Sequence, residues 1–272
     1  MSLSPKFEFL RSTGISELEI PTIVSRYPDL LTRSFKRRVA PVYNYIKGII
    51  GAANANTLLR RGSWIFKLDI ESRIVPNMDL LREVGVPQQF IKFALLNCTN
   101  IFFQDRVELK RVADEVKQLG FDSLKSTFIL AIYARKGEGS VWDKCNGVYS
   151  KWGWSEDDIR MAFKKHPSCM LLSEKKISAT MDFLVNKLGR ESRVIAKSPR
   201  VLFYSLKERI VPRCSVVRLL VLEGLVEEDW NLSSVLSPVE SKFLDKYVSR
   251  YTEKMPQLYD VYLSYKASGV LV

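Results

Sequence analysis

The sequence predicts an all-α solenoid, a right- or left-handed superhelix of helical repeats about 35 residues long. Two observations predict it. Glycines stand at Gly14, Gly51, Gly85, Gly120, Gly153, Gly189 and Gly224, separated by 37, 34, 35, 33, 36 and 35 residues, and these are more than half of the chain's 13 glycines. The second is the motif Arg-(Ile/Val)-x-Pro, carried by Arg38-Val39-Ala40-Pro41, Arg73-Ile74-Val75-Pro76 and Arg209-Ile210-Val211-Pro212. About ten residues before each Arg lies a turn: Tyr27-Pro28, Gly62-Ser63 and Ser198-Pro199. His166-Pro167 is the same turn in another unit, with Lys176-Ile177 in place of the Arg pair.

Each element of the unit has its own signal. The periodic glycines follow apolar stretches, as in Val84-Gly85-Val86 and Leu119-Gly120-Phe121, and read as helix C-caps, where a left-handed residue is needed. Ser16-Glu17-Leu18-Glu19 and Ser155-Glu156-Asp157-Asp158 read as N-caps with an acidic residue three positions on. After Ser16, apolar residues recur at helical spacing up to Pro28, which stops the helix because proline disfavours a helical residue before it. Ser34 or Ser205 begins a further helix, with Ser205-Leu206-Lys207-Glu208 a capping box. Pro41, Pro76 and Pro212 lie about seven residues into that segment and should kink it or mark its true start. No alternating run bounded by hairpin turns predicts a strand. The fourth unit replaces its proline turn with Arg135-Lys136-Gly137-Glu138-Gly139-Ser140, which reads as a longer exposed loop.

At the ends the pattern changes. Pro5 precedes Gly14 by nine residues, as Pro76 precedes Gly85, so residues 1–14 are expected to be the second half of a truncated repeat. Residues 15–224 then hold six repeats, and residues 225–272 form C-terminal capping helices and a tail. Such an opening predicts a chain cut from a longer solenoid whose targeting segment is not present here.

Composition narrows the function classes. No stretch approaches the ~20 apolar residues of a membrane span. Cys98, Cys145, Cys169 and Cys214 are widely spaced, so neither a disulfide framework nor a zinc site is expected, and they should be small buried hydrophobes. The formal net charge is +12. Residues 1–136 hold 21 basic and 13 acidic side chains, and residues 137–272 hold 21 and 17. That excess points to a polyanionic partner or to a solvated basic surface.

Taken in order, the motifs resemble the mitochondrial transcription termination factor (mTERF) family, in its plant branch. The resemblance is carried by Tyr27-Pro28-Asp29-Leu30-Leu31 and Lys197-Ser198-Pro199-Arg200-Val201-Leu202, and sharpens in Lys151-Trp152-Gly153-Trp154-Ser155-Glu156-Asp157-Asp158-Ile159. His166-Pro167-Ser168-Cys169-Met170, Leu172-Ser173-Glu174-Lys175-Lys176-Ile177 and Arg209-Ile210-Val211-Pro212-Arg213-Cys214 extend it, as does Ser233-Ser234-Val235-Leu236-Ser237-Pro238-Val239-Glu240. It implies an all-α superhelix binding double-stranded nucleic acid along a basic groove, in organelle gene expression. The organelle expected is the mitochondrion, with the chloroplast as alternative.

Candidate nucleic-acid contacts follow from the repeat. Arg38, Arg73 and Arg209, with Lys176, hold equivalent places and can follow a phosphate backbone. The competing reading is that each covers a neighbouring helix end or pairs locally, as Glu71 and Arg73 would. Arg26, Arg60, Arg61, Lys164, Lys165, Lys197 and Arg200 flank the proline turns, and Arg33, Lys36 and Arg37 complete the densest cluster with Arg38. At a helix C-terminus plain solvation competes, since cations are favoured there anyway. Trp64, Trp152, Trp154 and Trp230 are expected in the core, and His166 as a repeat-turn residue. No phosphate-binding loop, acid/base pair or metal cluster stands out, so no catalytic residue, metal or cofactor is expected.

The expected function is therefore non-enzymatic: binding double-stranded DNA along a basic groove to terminate or regulate transcription. An RNA-binding factor of intron splicing or ribosome assembly, acting on structured RNA, and a protein-interaction scaffold are the alternatives. A monomer on nucleic acid is expected, with no small-molecule substrate and no membrane.

Overall fold

A computed structural model describes residues 4–28, 37, 39–61, 64–135 and 141–268. The chain forms two compact units, Met1–Gly137 and Glu138–Val272. Among the described residues every regular element is a helix or helical turn.

In the first unit, α1 (Ser4–Ser12) and α2 (Ile20–Arg26) precede α3 (Ala40–Ile50) and α4 (Ala52–Arg60). After them come a 3-10 turn (Trp64–Lys67), a π-turn (Ile70–Ile74) and α5 (Val75–Glu83). Next are α6 (Gln88–Asn97), a 3-10 turn (Thr99–Phe103), α7 (Arg106–Gln118) and α8 (Ser126–Arg135). Like packs on like: α5 meets α7, α6 meets α8, and the two 3-10 turns meet each other. Helix α7 shows why such a helix forms. Leu109, Val112, Ala113 and Val116 are buried at helical spacing, while Lys110–Asp114, Arg111–Glu108 and Arg111–Glu115 pairs line its wet face.

The second unit repeats the order. It contains α9 (Val141–Lys151), α10 (Glu156–Lys165), a 3-10 turn (Pro167–Leu171), α11 (Glu174–Met181) and a π-turn (Asp182–Lys187). Then follow α12 (Ser192–Lys197), a 3-10 turn (Pro199–Phe203), a π-turn (Leu206–Ile210) and α13 (Val211–Leu222). Here α10 packs on α12, α9 on α11, and turn on turn. The unit ends in α14 (Leu232–Leu236), α15 (Glu240–Tyr247) and α16 (Leu258–Ser268), and α16 packs along α13. Helix α13 is consequently buried on nearly every side, polar Arg213 and Ser215 included.

All seven periodic glycines have positive φ, from 67° to 92°, and no other described residue does. At Gly85 the geometry is a Schellman cap. The Gly85 N–H donates to Arg82 O and the Val86 N–H to Leu81 O, both at 2.9 Å. Of the expected N-caps, those at Ser155 and Ser205 form, and Asp69, Asp105 and Ser173 add caps that the sequence reading did not single out. Ser155 and Asp158 make the reciprocal box, and Asp69, Asp105, Ser173 and Ser205 each accept from the N–H three residues on.

Some expectations are corrected. Ser16 does bind Glu19, but α2 begins only at Ile20. Pro21 has no N–H to return to the Glu17 carbonyl, so residues 17–19 form a turn ahead of the helix. Of the two roles expected for the repeat prolines, Pro76 and Pro212 take the second: they mark the helix start, in the first turn of α5 and α13 directly after a π-turn, and kink no continuous helix. There the Ile74 N–H reaches Asp69 O and the Ile210 N–H reaches Ser205 O, five residues back. The wider turn gives the proline ring room where an α-turn would clash. Lys176 is also one residue out of step, at cap plus three, whereas Arg73 and Arg209 stand at cap plus four. In its repeat the π-turn comes later, over Asp182–Lys187. The loop expected over residues 135–140 lies outside the described residues apart from Arg135.

Candidate nucleic-acid interface

The first helix of each repeat ends just before the turn and presents unpaired carbonyls and the negative end of its dipole. The basic residues flanking the turns meet that end. Arg26 Nη1 donates to Arg60 O at 3.3 Å, Arg61 Nη1 to Leu96 O at 3.5 Å, and Lys165 Nζ to Lys197 O at 2.8 Å. Each of these rungs ties the end of one first helix to the next. Arg60 Nε also pairs with Glu19 Oε1 at 2.8 Å. Glu19 stays below the usual carboxylate range, held first by the Ser16 backbone N–H, then by Arg60 and the Ser16 hydroxyl. Arg26, Arg61 and Lys165 remain exposed, with further N–H groups facing water.

A second row lies beneath. The carbonyl just before the second helix's cap receives a donor from the preceding second helix in four places. Asn77 Nδ2 donates to Gln104 O at 2.9 Å and Cys145 Sγ to Leu172 O at 3.3 Å. Lys176 Nζ donates to Tyr204 O at 3.1 Å and Arg213 Nη1 to Pro238 O at 2.7 Å. Lys176 is thus half-buried and committed to the fold, so its place in a phosphate ladder gives way to the competing reading. Arg213, 1% exposed, adds bonds to Val235 O and Leu236 O and lies 4.7 Å over the Phe243 ring. Asn77 and Arg213 each follow a repeat proline, a signal that aligning Pro76 with Pro212 exposes.

The other predicted cations divide. Arg73, Lys164, Lys197 and Arg200 are exposed, and their side chains donate no hydrogen bond and join no ion pair among the described residues. The alternative pairing of Glu71 with Arg73 does not form. Arg209 is half-buried, 5.0 Å over the Tyr204 ring. Arg37 is exposed and lines a small cleft with Asp69 and Glu71. Arg33, Lys36 and Arg38 lie outside the described residues.

His166 stacks on Phe203 at 4.5 Å, half-buried at the end of α10, as a turn residue should. Burial, then the nearby Arg200 charge, lowers its pKa. All four thiols are buried, and burial pushes Cys145 up to about 11 and Cys169 and Cys214 up to about 12. Such thiols are not nucleophiles at neutral pH. Trp154 is buried and stacks on Tyr149, as expected, and Trp152 is half-buried. Trp230 departs from the expected core role: it is half-buried beneath the Arg190 guanidinium, 4.0 Å from its ring centroid. The Trp64 side chain lies outside the described residues. No group of three His, Cys, Asp or Glu side chains among the described residues is placed to hold a metal. No described helix is long and apolar enough to cross a membrane.

This repeat, with its turn, its proline-led second helix and its glycine end, matches the family model described as mTERF over residues 1–136 and 142–244. The chain belongs to the mTERF family. Two curated mTERF relatives from Arabidopsis thaliana are similar to it. The transcription termination factor MTERF15, mitochondrial, is 23% identical over 248 residues, covering 90% of this chain and 55% of the relative. The transcription termination factor MTERF8, chloroplastic, is 20% identical over 216 residues, covering 78% of this chain and 43% of the relative. The chain therefore spans about half the length of the mTERF relatives it matches.

Proposed function

We propose that this mTERF chain is a non-enzymatic nucleic-acid-binding factor of organelle gene expression. It binds double-stranded DNA through basic side chains at the repeat ends and terminates or regulates transcription. The observation that carries this reading is the set of exposed cations at and around the repeat turns, of which the side chains of Arg73, Lys164, Lys197 and Arg200 donate no hydrogen bond and join no ion pair among the described residues. A cation the fold does not use is free to displace counterions from phosphate, with no need to read a base. Family membership and the relatives' names support the transcriptional role and an organelle, with the mitochondrion first and the chloroplast second.

In the same reading residues 1–14 are a half repeat, residues 15–224 six repeats and residues 225–272 a cap, and the chain binds as a monomer. The test is binding of mixed-sequence duplex DNA and of a structured RNA across a salt series. Tighter binding to DNA, falling steeply with salt, is expected. Equal or tighter binding to RNA would move the function to RNA. No binding of either at low ionic strength would overturn it.

A further inference from the structure

A cavity of about 430 Å³ opens beside the Gly189 cap, between the end of the π-turn Asp182–Lys187, helix α13 and Trp230. Its volume lies in the ~300–1,000 Å³ range of small-molecule sites. Gly189 apart, none of its lining residues was singled out by the repeat. Arg190 and Trp230 both line it, and the Arg190 guanidinium carbon lies over the Trp230 ring, 4.0 Å from its centroid. Arg190 is half-buried, yet its guanidinium donates no hydrogen bond and joins no ion pair among the described residues. Glu228 and Asp229 are near enough to act on its charge, but neither is within ion-pair distance.

A planar cation fixed by stacking, with its donors unused, is poised for an anion. Arg218 lines the same cavity and spends one donor on Lys187 O at 3.3 Å. Lys187 stands at the rim, 4.0 Å from Asp182. Val221 and the 72%-exposed Leu222 give an apolar wall, and Glu228 adds a carboxylate acceptor to the lining.

We propose that this cavity binds a nucleotide that ends in a phosphate monoester. The base continues the stack on the free face of Arg190, and the phosphate is held by the N–H edge of Arg190 together with Arg218 and Lys187. Glu228 accepts from a ribose hydroxyl or a base amine. A simple anion site would need neither the indole platform nor the apolar wall. Two sources carry this chemistry, a free mononucleotide and the phosphorylated end of a nucleic-acid strand.

The experiment is a titration of the full chain followed on its five tryptophan indole N–H signals, with Trp230 assigned through Trp230→Phe. Adenosine 5′-monophosphate should move the Trp230 signal saturably and leave the others in place. Adenosine alone and inorganic phosphate alone should bind at least about tenfold more weakly, since each keeps half of the contacts. Arg190→Ala and Arg218→Ala should each weaken binding by about tenfold or more. They lie on different elements, and the remaining indole signals report whether either variant has unfolded.

A single-stranded oligonucleotide with and without a 5′-phosphate separates the two sources. A Trp230 shift that needs the phosphate and is absent with the mononucleotide assigns the site to a strand end. A Trp230 signal unmoved by both, full binding by the Arg190→Ala and Arg218→Ala variants, or inorganic phosphate binding as tightly as the nucleotide would overturn the proposal. None of these results depends on duplex binding, so the cavity and the proposed function fail separately.

Discussion

At φ +92°, Gly85 holds a conformation that costs an L side chain ~1–2 kcal/mol, and an added Cβ would meet Ser123 Oγ at 3.2 Å. Gly147, inside α9, has ordinary helical φ and open space around it. Gly85→Ala should therefore destabilise by at least ~1–2 kcal/mol, and Gly147→Ala should stabilise by roughly 0.5–1 kcal/mol. Urea unfolding of both variants checks the contrast. Arg213 is the opposite kind of residue, a buried charge with three carbonyls on one nitrogen. Arg213→Met strands those carbonyls and should cost roughly 1.5–3 kcal/mol in the same assay.

His166 makes a pH prediction. Its folded pKa is depressed below the ordinary 6.5, so the unfolded chain takes up the proton first as pH falls. Its contribution is complete above 6.5 and is lost on acidification below that value. The urea midpoint should fall between about pH 7 and pH 5.5, and His166→Gln should flatten that fall. An equal fall in the variant would assign it to other groups.

At the scale of the element, the parts legible in the sequence were those fixed by one residue's backbone needs. A left-handed cap asks for glycine, so all seven periodic glycines were readable. So were the caps at Ser155 and Ser205, which depend on one short oxygen. What was not legible depended on two elements meeting. The π-turns ahead of Pro76 and Pro212 leave no compositional mark, and they displace Lys176 by one position. The use of Lys176 and Arg213 on carbonyls of the next repeat follows from stacking distance, which sequence spacing does not contain. Nor does any period link Arg190 to Trp230. For the candidate interface, sequence placed cations beside the helix ends and turns but could not divide those the fold uses from those it leaves in solvent.

That division recasts the +12 charge at the scale of the whole molecule. Lys176, Arg26, Arg61 and Lys165 bond to carbonyls of neighbouring elements, and the side chains of Arg73, Lys164, Lys197 and Arg200 have no hydrogen-bond or ion-pair partner among the described residues. Lys110 and Arg111 are also exposed, but Asp114, Glu108 and Glu115 already neutralise them. The most direct test compares duplex DNA binding over a salt series for three proteins. They are the parent, the fourfold variant Arg73→Ala, Lys164→Ala, Lys197→Ala and Arg200→Ala, and the control Lys110→Ala with Arg111→Ala. Each phosphate contact contributes about 0.9 to the slope of log affinity against log salt, so the fourfold variant should bind more weakly and lose roughly 3–4 from that slope. The control should follow the parent. A fourfold variant that unfolds like the parent and keeps both its affinity and its slope would contradict the account.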